Sequence, residues 1–336
     1  MERRAFLGLS VAALAALGSR TSEAQPAGTS LLSAVATLAD LLDTGYVLPE
    51  IGKRYAAMLR AKLATGDYAG FTDPLALAAR LTTDLAAVAP DRHLRVVRDE
   101  APQGAPLGGP HPVQRRAIED ASWLRSDVAY IRFSAFPDDP QTATQCERFM
   151  HDHATAKSVI IDSRYNGGGG IVQMNAMLPF LYAKETTLVQ MEMVDTVAKA
   201  RGNPFEGDAF VRPAAGAAKG IIRNEHYVVP SKDETRLFAA KVFYLTSART
   251  ASAAEHLALA FRHTKRAVLI GETTAGANHF GGFEPIGAGL AVFLPAGRTI
   301  DPDTGQDWEG RGIAPDVTVD PTLALEEALR RSGALG

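Results

Sequence analysis

At 336 residues, with 46% hydrophobic and 22% charged residues, the chain can bury a large core and is too apolar for a disordered or collagen-like protein. Its formal charge of -3 is spread without long basic runs, so the electrostatic footprint of a nucleic-acid binder is missing and no nucleic-acid partner is expected. A single cysteine, Cys146, excludes an internal disulfide and a cysteine-based zinc site.

Residues 1–24 read as a signal peptide. Arg3-Arg4 precede an apolar run from Ala5 to Gly18, and Ser22-Glu23-Ala24 offers a small-residue cleavage site before Gln25. The paired arginines are twin-arginine-like, and the mature protein is expected to be exported, periplasmic or extracellular. No later stretch reaches the roughly 18–20 apolar residues that a spanning helix needs, so stable membrane insertion is not expected after signal removal.

Leu31, Val35, Leu38 and Leu42 recur at helical spacing behind Thr29 and Ser30, either of which can cap a helix. Ile51, Tyr55, Met58, Leu59 and Leu63 form a second stripe, and Thr72-Asp73-Pro74 opens a third helix running to about Val88. Residues 25–92 thus read as a small helical N-terminal domain. The β-like run 93–98 and the Pro/Gly-rich stretch 101–112 make 93–125 a connecting segment. Beyond it, strand candidates at 127–134, 157–163, 241–246 and 266–271 alternate with helical patterns at 139–154, 171–182 and 253–264. This alternation predicts an α/β core domain over 126–336. Residues 184–240 are less regular, with strands near 186–193 and 225–229, and read as a variable insertion.

Two segments can carry chemistry. An apolar run through Val159, Ile160 and Ile161 leads by Asp162 to Gly167-Gly168-Gly169-Gly170 just before a helix. Such a turn presents bare backbone amides, which stabilise negative charge. No Gly-Lys-Ser/Thr follows, and the glycine spacing is not that of a dinucleotide fingerprint, so nucleotide binding is not expected. The second segment is the strand 242–246, which runs through Thr250-Ala251-Ser252-Ala253-Ala254-Glu255 into a helix. Ser252 can be a helix N-cap or a nucleophile at a sharp turn. Glu255 suits the helix dipole without further chemistry.

Four motifs in order then carry a resemblance: Asp162 to Gly169 (DSRYNGGG), Thr250 to Glu255 (TASAAE), Gly271 to Gly276 (GETTAG) and Trp308 to Val317 (WEGRGIAPDV). The chain resembles the carboxyl-terminal processing (tail-specific) serine peptidases, in the branch with tricorn-like proteases and interphotoreceptor retinoid-binding protein modules. The resemblance implies a crotonase/ClpP-like α/β core and peptide-bond cleavage of a peptide or protein substrate. It maps the nucleophile to Ser252 and the oxyanion hole to the amides of Gly168 and Ala253. Many members use a Ser/Lys dyad, but the matching position here is Ala277, so the base must be another group. Histidine suits the task at neutral pH. His93 stands where the tricorn-like branch places its base, with Glu309 as its carboxylate; His279 is the alternative base. Too few residues separate His93 from the strand near Asp127 for the PDZ module that many members carry. Two other readings use the same fold: a non-catalytic small-ligand or peptide-binding module, and an esterase. His256 and His263 read as solvated helix positions, no histidine pair has zincin spacing, and neither a metal nor a cofactor is expected.

Overall fold

A computed structural model describes residues 30–99 and 116–334. The signal peptide and the Pro/Gly-rich loop expected over 101–112 lie outside the described residues.

The first three helices form where caps and stripes place them. Helix α1 (Leu31–Gly45) is capped by Ser30, whose hydroxyl accepts from Ser33 N at 3.1 Å. Helix α2 (Pro49–Thr65) starts on a proline and stops at Gly66 in the left-handed region, φ +81°. Helix α3 (Pro74–Val88) is capped by Asp73, which accepts from Leu75 and Ala76. Their buried stripes, including Leu38, Leu42, Tyr55, Leu59, Leu81 and Leu85, close one core with strand residues Leu290, Val292 and Leu294.

The chain then forms β1 (Arg95–Arg98), β2 (Ile118–Arg125), β3 (Val128–Phe133), α4 (Pro140–Asp152), β4 (Ser158–Asp162), α5 (Val172–Met177), β5 (Thr186–Val194), α6 (Asp195–Arg201), β6 (Val211–Pro213), β7 (Ile221–Val228) and β8 (Lys241–Thr246). Helix α7 (Ala253–Thr264), β9 (Val268–Gly271), β10 (Phe280–Gly287), β11 (Leu290–Ile300), β12 (Val317–Thr318) and α8 (Ala324–Ser332) complete it.

One sheet has the order β12-β9-β8-β4-β3-β2 and is parallel apart from the β2–β3 pair. Strand β4 is buried along its whole length, as a strand covered on both faces must be. Val159 and Ile161 join the core with Phe149, Met174 and Leu257 of the helices α4, α5 and α7, whereas Ile160 packs with Ala324 and Ala328 of α8. The other sheet, β1-β11-β5-β7-β6 with β10 also on β11, is antiparallel. The architecture is α/β, as the alternation predicts.

Two features depart from the sequence reading. The hairpin β10–β11 is not among the predicted strands: Pro285 and Pro295 sit inside it and count against a strand. Its tight turn holds Ala288 at φ +54° and Gly289 at φ +70°. The segment 184–240, read as a variable insertion, instead supplies β5, which pairs with β11 and with β7 inside the second sheet.

Candidate active site

Parallel pairing of β4 with β8, in register from Ser158↔Lys241 to Asp162↔Leu245, brings the glycine turn and the Ser252 turn to the same edge of the sheet. Open α/β sheets place their ligand crevices at this carboxyl edge. The two turns are stitched together: Ser163 N donates to Leu245 O at 3.0 Å, Ala251 N to Asn166 O at 3.0 Å and Thr250 Oγ1 to Ser163 O at 2.8 Å. Ser252 is held at φ +53°, ψ −122°, a backbone conformation that a non-glycine residue adopts at a cost of about 1–3 kcal/mol. A sharp strained turn between strand and helix is also what lifts a nucleophile clear of its sheet.

What stabilises this turn is Glu255, fully buried at the start of α7. Its Oε2 accepts from Ser252 N at 2.9 Å and Ala277 N at 2.8 Å, and its Oε1 accepts from Gly276 N at 2.7 Å and the Thr274 hydroxyl. One carboxylate therefore ties the Ser252 turn to the 274–277 loop, a role that the dipole argument does not give it.

Gly168 has φ +93°, and a β-carbon there would lie 2.7 Å from Ala251 O and from Ser252 Cβ, and 2.8 Å from Ala253 N. Only glycine lets the two turns approach so closely. Its own N–H donates to Asn166 Oδ1 at 2.9 Å. Of the two amides expected in an oxyanion hole, that of Gly168 is thus already bonded, while Ala253 opens α7 with one of the helix's unsatisfied N–H groups.

The loop that Glu255 anchors continues into His279, which is 1% exposed. His279 Nδ1 lies 2.7 Å from Asp91 Oδ2, and Asp91 has a fully buried side chain. Tyr46 donates to the same oxygen at 2.8 Å, and the amides of His93 and Leu94 donate to Asp91 Oδ1 at 2.7 and 3.0 Å. With Nδ1–H donated to the carboxylate, Nε2 of His279 is left as the acceptor, and it is buried with no hydrogen-bond partner. Burial alone would raise Asp91; the hydrogen bond and charge of His279, with Tyr46 and the His93 amide, outweigh it and hold the carboxyl below its usual range. Burial would lower His279, but Asp91 and, more distantly, Glu309 hold its imidazole above the usual 6.5.

His93 and Glu309 are the residues expected as base and carboxylate. The His93 ring stacks on Phe293, with centroids 5.5 Å apart. Glu309 accepts from backbone N–H groups: Arg92 at 2.8 Å, Asn278 at 2.6 Å and His279 at 3.2 Å. It positions the two loops that carry Asp91 and His279, and burial, then the charge of Asp91, pushes its own carboxyl up. Donor atoms of Asp91, His279 and Glu309 lie within 4.8 Å of one another, but these hydrogen bonds already engage both carboxylates and Nδ1.

His256 is a correction to the sequence reading, being buried instead of solvated. Its Nε2 lies 2.8 Å from His226 Nδ1, and His226 Nε2 lies 2.8 Å from Asn175 Oδ1. Burial pulls His256 down to about 4, and burial with the neighbouring imidazole lowers His226 well below its usual value, so both are neutral near pH 7. A histidine four residues after Ser252, on the helix face that must meet the core, was the available signal.

The profile of peptidase family S41 matches residues 127–319, and that of the N-terminal domain of family S41 peptidases in eukaryotic IRBP matches residues 28–121. Among solved structures, the chain is similar to a photosystem II D1 C-terminal processing protease at 14% identity and a TM-score of 0.58, covering 90% of this chain and 98% of that one. It is also similar to a lipoprotein from Streptococcus agalactiae at 14% identity and a TM-score of 0.55, covering 92% and 98%. At such identity the likeness speaks for the fold alone.

Proposed function

This chain belongs to peptidase family S41 and is a serine-type peptidase acting on peptide substrates, and we propose that Ser252 is its nucleophile with His279, oriented by Asp91, as its base. The observation that carries the base assignment is the buried Asp91–His279 pair with an unpartnered Nε2, set two residues from Ala277, whose amide shares Glu255 Oε2 with that of Ser252. His279 Nε2 takes the Ser252 proton as Oγ attacks the scissile carbonyl, and the imidazolium so formed is stabilised by Asp91. The developing oxyanion is received by the Ala253 amide, which the close approach of Gly168 leaves at the mouth of the two turns. The amine leaves with the proton held by His279, and water, deprotonated by the same nitrogen, releases the acyl group. Glu309 is a positioning residue in this scheme, and His93 is not the base.

The core is read as crotonase/ClpP-like, supported by the run of parallel strands and the helix that follows the nucleophile. The organisation that accompanies it is a signal over 1–24, helices over 25–92, a connecting segment over 93–125 and the peptidase core over 126–336. Export rests on the leader sequence; among the described residues no helix is long and apolar enough to cross a membrane.

The test is fluorophosphonate labelling of wild type and the Ser252→Ala, His279→Gln and His93→Ala variants, with the adduct mapped by mass spectrometry. The adduct is expected on Ser252, lost in His279→Gln and kept in His93→Ala. Labelling that needs His93 and not His279 would return the base to His93, and a folded wild type that never labels would remove Ser252 as a nucleophile.

A further inference from the structure

Arginines of the antiparallel sheet are paired with acids at several places: Arg212 with Glu225, and Arg223 and Arg298 with Glu192. Arg95 on β1 differs. Its guanidinium carbon lies 5.3 Å from the centre of the Phe283 ring and 5.2 Å from that of Phe293, and its Nη1 donates to His93 O at 2.9 Å. Register explains the platform, since Arg95 and Phe283 both face Phe293, one from β1 and one from β10. Among the described residues no carboxylate forms an ion pair with Arg95, and burial draws its guanidinium below its usual range. Stacking covers the face of a guanidinium and leaves its edge N–H groups to bind an anion, most strongly a carboxylate held by two of them. Phe283, one wall of the platform, is 45% exposed.

The platform adjoins the proposed base along two paths. Asp91, which holds His279, is followed by His93, whose ring stacks on Phe293, and then by Arg95. His279 immediately precedes β10, and Phe283 lies four residues further on, about 13 Å at the rise of an extended strand. An extended substrate covers that distance in roughly four residues.

We propose that Arg95, on its Phe283–Phe293 platform, binds an acidic side chain of the substrate about four residues from the scissile bond, so that the enzyme selects peptides bearing an Asp or Glu there; the inference rests on the peptidase reading of the same site. The carboxylate is that of an Asp or Glu side chain within the peptide.

The experiment digests randomised synthetic decapeptides with wild type, Arg95→Gln and Arg95→Lys, and maps cleavage by mass spectrometry. One library is acetylated and amidated; a second keeps free C-terminal carboxylates. In the amidated library, Glu is expected to be enriched over Gln about tenfold at one position near the cleaved bond, as befits a charge-assisted pair. The preference is lost in Arg95→Gln and partly kept in Arg95→Lys, which retains the charge without the fork. Cleavage at a fixed distance from the free terminus alone, also dependent on Arg95, would assign the guanidinium to the chain end and overturn the side-chain proposal. Cleavage without acid preference in either library, or a preference that survives Arg95→Gln, overturns the proposal while leaving the peptidase intact. A protein that labels at Ser252 but cleaves neither library loses the peptidase reading, and this inference falls with it.

Discussion

Asp91 and His279 stabilise each other's charged forms, and the direction of each shift fixes how pH acts on them. Asp91 is held below the ordinary carboxylate range, so its contribution to stability is present above an unfolded value near 3.9 and is lost as pH falls through the lower folded value. His279 is held above 6.5, so its contribution is complete below that value and is lost as pH rises through the folded one. With His279 as the proposed base, catalysis runs the opposite way, because the base must be neutral: activity should rise with pH to a midpoint above 6.5. Asp91→Asn removes the charge that raises His279 and the acceptor that fixes its tautomer. Its activity should fall by about 10³-fold or more, with the residual midpoint moved to lower pH. Initial rates across pH check both, and an unmoved midpoint would sink the Asp91–His279 coupling.

At the scale of elements, the site is two strand-to-helix turns pressed together, and Gly168 is the point of contact. Gly168→Ala places a methyl carbon 2.7 Å from Ala251 O in a backbone with φ +93°, so one turn must retreat. Displacement of this order costs about 100-fold in rate even where the chemistry is untouched. Gly168→Ala should therefore lose activity by about that factor while its circular dichroism stays that of the wild type; full activity would show that the turns need not touch. Glu255 sets the other side of the same contact. It reads in sequence as a helix-dipole acid because its partners, Thr274, Gly276 and Ala277, arrive from a loop that follows a different strand.

Across the whole molecule, the N-terminal helices complete the antiparallel sheet instead of standing apart from it. Leu294 is 3% exposed in the core that β11 shares with α1–α3. Leu294→Ala should cost about 2–5 kcal/mol, and wild type and variant should each melt in one transition, because helices and sheet close the same core. Separate transitions for the helical and α/β parts would contradict the shared core. The placement also has a functional reason: Tyr46 from the end of α1 and Asp91 from beyond α3 reach His279 only because the helices sit on this sheet.

The sequence by itself determined the elements whose causes are local. Capping residues and stripes at helical spacing define α1 to α3, the apolar run at 159–161 defines β4, and the strand–turn–helix motifs around the glycines and Ser252 define the two turns. It also identified the family, because four ordered motifs each serve one short turn or strand. Tertiary structure alone decided which groups meet. Asp91 and His279 are nearly two hundred residues apart in the chain, and their pairing depends on a hairpin whose prolines hide it from any local reading. His93 and Glu309 have the residue types of a base and its carboxylate, and only the structure shows that the His93 ring stacks on Phe293 and that Glu309 accepts from three backbone amides. A sequence shows which side chains can transfer a proton; only the shared core of helices and sheet brings His279, desolvated and with Asp91 behind it, to the loop tied to the Ser252 turn, where it is the proposed base.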